Sequence, residues 1–311
     1  MATETLLSPI SKIEVVNEEK RSSPARRDVD AVFHYVDGAI TPEVLNASRS
    51  VARPNGYGEL NDPKSLTLRD VTGREADFTR DNSAFCYVNH GSAIEKDMMT
   101  MPDEEIEANT GASHVHVFNH LRRISHGKSP QALGGKERVH HQAYKVHVDQ
   151  SWLQVKDHVY KAFGPEKGAE MMKQRFQIIN VWRPLRTVFK DPLAIIDIRL
   201  QSPEDLMRID VVLVDGVKTS NLAVRHNPKH TWYYKHAQRP DEPLVFKQFD
   251  SGDRVCLGQV LHSAFSDEEY EGREPRWSIE ARALAFYEDQ RGIQPEEVQD
   301  RGFGAELKTE E

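Results

Sequence analysis

His147 and Asp149 form the only His-x-acid triplet in the chain, and together they could bind one metal ion. In an extended segment, residues i and i+2 point to the same face, so the imidazole and the carboxylate can reach a common ion. With 14 histidines and 49 acidic residues among 311, about two such triplets are expected by chance, since 14 × 49/311 ≈ 2.2. Asp149 also lies two residues before Ser151, so it could instead cap a helix. The triplet alone is therefore a weak indication of a metal site.

Three residues near the C-terminus could complete such a site and bind an organic acid. His262 lies in the segment 254–265, which predicts a buried strand, and Arg276 follows 14 residues later. Arg276 and Ser278 share one face of the next predicted strand, where a guanidinium and a hydroxyl can hold a carboxylate. Taken singly, His262 is more typical of a core residue and Arg276 of a surface ion pair.

Taken together, the order of these residues is typical of Fe(II)/2-oxoglutarate-dependent oxygenases. The order is His-x-Asp, then a His about 115 residues later, then Arg-x-Ser. Two imidazoles and one carboxylate occupy one face of the iron and leave three positions open, for the keto acid and dioxygen. We therefore predict that His147, Asp149 and His262 bind Fe(II). Arg276 and Ser278 are predicted to bind the distal carboxylate of 2-oxoglutarate.

Longer segments resemble a group of fungal oxygenases of this class. The group includes gibberellin desaturase and aspergillic-acid hydroxylase, together with a bacterial cephamycin methoxylation component. The matching segments are Asn180-Val181-Trp182-Arg183-Pro184-Leu185, Pro192-Leu193-Ala194, Trp232-Tyr233-Tyr234 and Arg276-Trp277-Ser278-Ile279-Glu280-Ala281-Arg282. The resemblance covers roughly residues 80–290. It implies a non-haem iron dioxygenase, a hydroxylase or desaturase, that uses 2-oxoglutarate on a small secondary metabolite, with the same five site residues.

Further residues could line a substrate pocket at the mouth of a barrel. The candidates are Asn180, Trp182, Arg183, Trp232 and Tyr233. Arg183 stands in an apolar strand, where a guanidinium needs an anionic or carbonyl partner. Flat aromatic surface beside one cation favours a small, ring-containing molecule with a carbonyl or carboxylate group.

Two alternative functions are compatible with the sequence. His114, His116 and His120 resemble half of a cupin metal motif, although no carboxylate stands at the spacing that a cupin requires. A cupin-like metalloenzyme would use these three histidines in place of His147 and His262. The second alternative is a jelly-roll protein without catalytic activity that assists another biosynthetic enzyme.

The predicted elements place the candidate residues on β-strands. Ser151 starts a capping box and a helical pattern that continues to residue 176, interrupted at Gly164, and a shorter helix is predicted from Ser202. Strands are predicted over residues 176–188, 193–200, 222–225, 231–236, 244–249, 254–265 and 276–287. We therefore predict a mainly β fold with flanking helices and a double-stranded β-helix (jelly-roll) core.

The composition narrows the class of protein. The net charge of −8 argues against nucleic-acid binding, and two cysteines cannot form a disulfide framework. No apolar run has membrane-spanning length, and no secretory leader precedes the polar N-terminus, so a soluble, cytoplasmic protein is expected. Residues 1–29 are expected to be a disordered tail. One domain is expected over 30–311, with an irregular part over about 30–135 and the jelly-roll core over about 136–290.

Overall fold

The computed structural model describes residues 24–41, 44, 57–91, 110–124, 141–212, 218–252 and 258–293. Within these ranges the chain is mainly β, with two α-helices, α1 (Trp152–Phe163) and α2 (Pro165–Met171). The strands are β1 (Val29–Val36), β2 (Asn61–Asp70), β3 (Phe85–Tyr87), β4 (His114–Ile124), β5 (His147–Val148), β6 (Gln174–Pro184), β7 (Leu193–Ile196), β8 (Leu206–Val212), β9 (Lys218–Val224), β10 (Trp232–Tyr234), β11 (Leu244–Asp250), β12 (His262–Ala264) and β13 (Trp277–Arg291). Neither helix has the length and apolar content of a membrane span.

The strands form two curled sheets. The larger sheet has the order β1-β2-β10-β7-β12-β5-β9-β8, and the smaller has the order β3-β11-β6-β13-β4. Neighbours are antiparallel except β2 and β10. Isolated parallel bridges join His34 to Lys145 and Val36 to Arg225, so β1 curls back towards the segments beside β5 and β9. This architecture confirms the predicted jelly roll.

The two helices follow the predicted local signals. Ser151 is the N-cap of α1, and its Oγ accepts a hydrogen bond from the Gln154 backbone N–H at 3.4 Å. Gly164, at φ = +77°, separates α1 from α2, because a left-handed residue ends a helix. Trp152 of α1 packs against Phe249 and Phe176 of the smaller sheet. The helix therefore follows directly on the His147–Asp149 segment and fixes it against the sheet.

Strand alternation divides the residues of the smaller sheet between two environments. On β6, Ile179 and Val181 belong to an apolar cluster with alanines of β13, whereas Trp182 packs with Phe246 and Ile195. Because Ile195 belongs to the larger sheet, the Trp182 side of β6 faces the space between the sheets. The inward positions of β6 and β13 are therefore the ones that can take part in a site inside the roll.

Three sequence predictions require correction. The helix expected from Ser202 is a single 3₁₀ turn, Pro203–Asp205, because β8 begins at Leu206 and pairs with β9. Four strands, β1 to β4, lie within or begin just before the region 30–135 that was predicted to be irregular. Strand β2 was missed because its outward face is polar and exposed. Of the strand predicted over 254–265, only His262–Ala264 is a strand, and residues 253–257 lie outside the described residues.

The end of the predicted tail is attached to the fold. The Arg27 backbone N–H donates to Asp70 Oδ2 at 2.9 Å, and the Arg27 side chain forms an ion pair with Asp267. Tyr234 Oη donates to the Arg27 carbonyl at 2.6 Å. Residues 24–29 are therefore part of the folded structure, and residues 1–23 lie outside the described residues.

Candidate metal centre

His147, Asp149 and His262 meet inside the roll. His147 on β5 and His262 on β12 are direct cross-strand partners, and their ring centroids are 4.4 Å apart. One ligand atom of each residue lies within 4.8 Å of the others. All three side chains are buried, at 4–8% exposure. Among the described residues, this is the only cluster of three or more His, Cys, Asp or Glu side chains with metal-binding spacing.

Each imidazole is oriented by the carbonyl group of the residue two positions before it in the chain. His147 Nδ1 lies 2.8 Å from the Lys145 carbonyl, and His262 Nδ1 lies 3.3 Å from the Val260 carbonyl. A carbonyl only accepts hydrogen bonds, so each Nδ1 carries a proton, and Nε2 is the ring nitrogen directed at the cluster. His147 Nε2 is 3.6 Å from Asp149 Oδ1, and His262 Nε2 is 3.9 Å from Asp149 Oδ2. The three ligand atoms therefore converge on one space.

Asp149 is held as a carboxylate by two residues of the smaller sheet. Its Oδ2 accepts hydrogen bonds from Asn180 Nδ2 at 2.9 Å and lies 2.9 Å from a guanidinium nitrogen of Arg282. Burial alone would raise the pKa of Asp149. The charge of Arg282 instead holds this pKa well below its usual range. The carboxylate is therefore ionised, as a metal ligand must be.

His262 is held in the neutral form. Burial, with the neighbouring His147 as a second cause, lowers the pKa of His262 to about 3. Two imidazoles and one carboxylate are the donor set of a 2-His-1-carboxylate site, which suits Fe(II) and leaves coordination positions open. The donors present therefore fit a mononuclear Fe(II) ion.

A cavity beside the cluster is lined by Arg276, one of the two predicted cosubstrate residues. Its lining includes His147, His262, Trp182 and Arg276. Arg276 is 3% exposed, and its guanidinium lies 5.3 Å from the centroid of the Trp182 ring. Ser278 is 1% exposed and its Oγ has no hydrogen-bond partner among the described residues. A buried hydroxyl and a buried guanidinium beside the metal cluster fit a carboxylate ligand.

Sequence reasoning missed three charged residues of this region. Arg123 and Glu280 line the same cavity as Arg276, and Arg282 joins Glu280 to Asp149. Arg123 on β4 is the cross-strand partner of Ser278, and it donates to the His141 carbonyl at 2.7 Å. Glu280 and Arg282 could have been found, because they continue the i, i+2 row of Ser278 along β13. Arg123 could not have been found in this way, because the sequence does not indicate that β4 pairs with β13.

Two predicted pocket residues point away from the cluster. Arg183 donates to the carbonyls of His90 at 2.9 Å and Pro240 at 2.8 Å. It therefore has the carbonyl partners that a buried strand arginine needs, but not at the cavity. Trp232 stacks on Phe33 at 4.3 Å within another apolar cluster. Both assignments to the pocket are corrected, because alternate residues of a strand face opposite sides.

The other three pocket candidates have different positions. Trp182 lines the cavity, whereas Asn180 contacts the Asp149 carboxylate as described above. Tyr233 pairs with Ile195, the cross-strand partner of His262, so it shares their face of the larger sheet. Its ring packs against Phe78, with centroids 4.7 Å apart, and does not line the cavity. Of the five candidates, Trp182 alone is in the cavity wall.

The alternative cupin-like histidines do not form a cluster. His114 and His116 lie beside the ring of Phe163 on α1, at 5.8 Å and 5.5 Å between centroids. The register of β4 and β13 shifts between Arg282 and Ala283, and beyond this shift His120 pairs with Ala281. Ala281 belongs to the apolar cluster of Ile179 and Val181. Since these three side chains do not group within metal-binding distance, the structure gives no support to a second metal centre there.

Comparison with known proteins places the chain among oxidoreductases. A family described as "Oxidoreductase/YMDC permease-like domain" matches residues 34–286. The alpha-ketoglutarate-dependent dioxygenase phiK of a fungal species is 33% identical over 249 residues, or 74% of this chain and 87% of that protein. The hydroxylase/desaturase efuI of Hormonema carpetanum is 30% identical over 276 residues, or 80% of this chain and 93% of that protein.

A solved structure has the same fold. The iron and alpha-ketoglutarate-dependent endoperoxidase NvfI superimposes with a TM-score of 0.67 at 22% sequence identity. The superposition covers 84% of this chain and 98% of that one. At 22% identity this similarity supports the jelly-roll fold only. Function is compared with the sequence relatives described above, because a shared fold does not imply a shared function.

Proposed function

The chain belongs to the fungal Fe(II)/2-oxoglutarate-dependent dioxygenases, and on that basis we propose that it hydroxylates or desaturates a small secondary metabolite. His147, Asp149 and His262 are the proposed iron ligands, and Arg276 and Ser278 the proposed cosubstrate residues. The observation that carries the proposal is their placement: the three ligand atoms lie together, and both histidines line one cavity with the buried guanidinium of Arg276. Dioxygen is the co-reactant of this family.

The protein's own groups have separable tasks in this reaction. When bound, iron and 2-oxoglutarate supply the activation of dioxygen. The Lys145 and Val260 carbonyls keep the proton of each imidazole on Nδ1, so both Nε2 atoms remain available. Arg282 and Asn180 hold Asp149 ionised and fix its orientation. The apolar face of Trp182 beside the cavity would exclude water and limit the position of an organic molecule.

Arg123 is proposed as a further cation for the cosubstrate. Its partner across β4 and β13 is Ser278, and it lines the same cavity as Arg276. No carboxylate of a described residue forms an ion pair with its guanidinium. Burial and the nearby charge of Arg123 lower the pKa of Arg276 to about 10, so an anion between the two guanidiniums would relieve this repulsion. A dianion such as 2-oxoglutarate fits this charge distribution.

The finer description of the substrate remains part of the proposal. A ring-containing, mostly apolar metabolite with a carbonyl or carboxylate suits Trp182 beside charged groups. With Arg183 and Trp232 directed elsewhere and Arg123 proposed for the cosubstrate, recognition of a polar substrate group would fall to Glu280 in the cavity wall. We further propose a cytoplasmic enzyme that needs neither nucleic acid nor a membrane as partner.

The test combines binding with turnover. The apoprotein is titrated anaerobically with Fe(II) and then 2-oxoglutarate, and the weak visible charge-transfer band of the chelate is recorded. The band is expected at one equivalent of each, and succinate should form once air and a panel of small ring-containing metabolites are added. A protein that retains iron but never forms succinate would instead be a partner without catalytic activity. Absence of the band with intact iron binding would contradict the cosubstrate assignment.

A further inference from the structure

Strand β11 contains a β-bulge next to the candidate metal centre. Lys247 pairs with Ile179 and Phe249 pairs with the adjacent Ile178, so Gln248 has no cross-strand partner on β6. A bulge inserts one residue and changes the direction of the side chains that follow it. The inserted residue, Gln248, is completely buried. Its amide therefore needs hydrogen bonds inside the roll.

The Gln248 amide makes three hydrogen bonds. Its Oε1 accepts from the Asp149 backbone N–H at 2.8 Å. Its Nε2 donates to the Val260 carbonyl at 3.0 Å and to the Lys247 carbonyl at 3.0 Å. The partners are one N–H and two carbonyls, which fix the orientation of the amide. Gln248 thus connects β11 to both chain segments that carry candidate ligands.

The Val260 carbonyl has a second function. It also lies 3.3 Å from His262 Nδ1, so the carbonyl that orients the His262 ring is itself held by Gln248. The same amide holds the backbone of Asp149 on its other side. Asp149 and His262 come from segments more than a hundred residues apart. Gln248 bonds to both segments from a third strand, and Gln259 Nε2 adds a direct link between them by donating to the Gln150 carbonyl at 3.0 Å.

We infer that Gln248 is a positioning residue that sets the separation of the Asp149 and His262 ligand atoms before the metal binds. This inference rests on the proposed function. The bulge is required because regular alternation cannot direct both Gln248 and Phe249 inwards, and Phe249 packs with Trp152 and Phe176 on the inner side. Gln248 does not contact the metal. It acts through the two ligands, as residues behind metal ligands commonly do.

The experiment compares two buried glutamines of the smaller sheet. Gln248→Met keeps the length of the side chain and removes all three hydrogen bonds. Gln177→Met is the matched control, because Gln177 is 2% exposed and bonds only to Asp250 and Tyr287. Metal affinity is measured by anaerobic titration of the apoprotein with Fe(II) and Co(II). The visible spectrum of the Co(II) form reports ligand geometry independently of turnover.

Both variants should unfold at a lower temperature than the natural protein. Only Gln248→Met should bind metal about 10–100-fold more weakly and show an altered Co(II) spectrum. Gln248→Glu keeps the acceptor for the Asp149 N–H, so it should bind metal more tightly than Gln248→Met and serves if that variant does not fold. Unchanged affinity and spectrum in the folded Gln248 variants, or an equal loss in Gln177→Met, would overturn the inference. A natural protein that binds no Fe(II) would contradict the proposed function itself.

Discussion

His147 and His262 lie directly opposite each other on the adjacent antiparallel strands β5 and β12, with ring centroids 4.4 Å apart. Each ring is oriented by the carbonyl two residues before it. A single cross-strand pair therefore provides two of the three donors, and Asp149 follows on the same face as His147. The register of β5 and β12 therefore brings the two histidines of the centre together.

Replacing either histidine should remove the metal. His147→Ala and His262→Ala leave two donors each, and we expect no retained Fe(II) and no succinate formation, with the secondary structure preserved. Metal content after anaerobic loading and circular dichroism measure the two results. His116→Ala is the control, because His116 packs beside Phe163 away from the cluster. Loss of metal in His116→Ala with retention in His147→Ala would favour the cupin-like alternative.

The two cavity arginines should contribute unequally to cosubstrate affinity. Arg276→Ala removes a buried, charge-assisted contact and should weaken 2-oxoglutarate binding by about 10²–10³-fold. Arg123→Ala should weaken 2-oxoglutarate binding by about tenfold. Arg123 is less buried than Arg276, and its hydrogen bond in the structure is to the neutral carbonyl of His141. Titration of the Fe(II) protein with 2-oxoglutarate gives both values.

The neighbouring Arg122 provides the matched control for this comparison. Its partner on β13 is Ile279, so it lies on the face opposite to Arg123. Arg122→Ala should leave the affinity for 2-oxoglutarate unchanged. An effect as large as that of Arg123→Ala would mean that the general charge of β4, and not a contact in the cavity, attracts the cosubstrate.

Loss of Arg282 should destabilise the apoprotein more than the metal-bound form. In Arg282→Met, the Asp149 carboxylate stays buried and keeps Asn180 as partner but loses the guanidinium 2.9 Å from its Oδ2. Removing one partner of a buried ion pair costs about 3–5 kcal/mol, and a bound divalent ion would replace part of the lost charge. Thermal unfolding with and without Fe(II) should therefore show a larger stabilisation by metal in the variant. An equal stabilisation in both proteins would contradict this role.

Truncation should show that residues 24–29 stabilise the fold. A chain that starts at Pro24 keeps the contacts of Arg27 with Asp70, Tyr234 and Asp267. A chain that starts at Asp30 loses them and should be less stable by about 1–3 kcal/mol, from one partly buried ion pair and two hydrogen bonds. Denaturant unfolding of the two chains tests this. Equal stability would instead agree with the expectation that residues 1–29 form a disordered tail.

His158 on α1 should make stability depend on pH. Burial, with smaller effects of Lys161 and Arg282, lowers the pKa of His158 to about 4, and its Nε2 hydrogen-bonds to Gln150 Oε1 at 3.0 Å. The folded protein resists protonation, whereas the unfolded chain takes up the proton near pH 6.5. Stability should therefore fall as pH decreases from about 6.5 to 4, by up to about 1.4 kcal/mol per pH unit from this group. His158→Gln should lose less stability over this interval, and identical pH profiles would contradict the assignment.

The sequence alone was sufficient for features that depend on residues close together in the chain. The i, i+2 spacing of His147 and Asp149 places both on one face of a strand whatever surrounds it. The same holds for Arg276 and Ser278 at the start of β13. The cap at Ser151 and the break at Gly164 are likewise local, and the structure has both. These features together allowed the jelly-roll fold and the iron chemistry to be predicted.

Tertiary structure decided which face of each strand is inside and which strands are neighbours. Alternation separates Trp182 from its neighbour Arg183, but the sequence does not show which of the two faces inwards, and of the pocket candidates only Trp182 lines the cavity. The pairing of Arg123 with Ser278 and the bulge at Gln248 depend on strand register, which is fixed by packing over the whole sheet. Hydrogen bonds between segments a hundred residues apart leave no local pattern in the sequence. The donors of the metal centre could therefore be predicted from residue order, whereas the residues that hold them in place could be identified only in the folded chain.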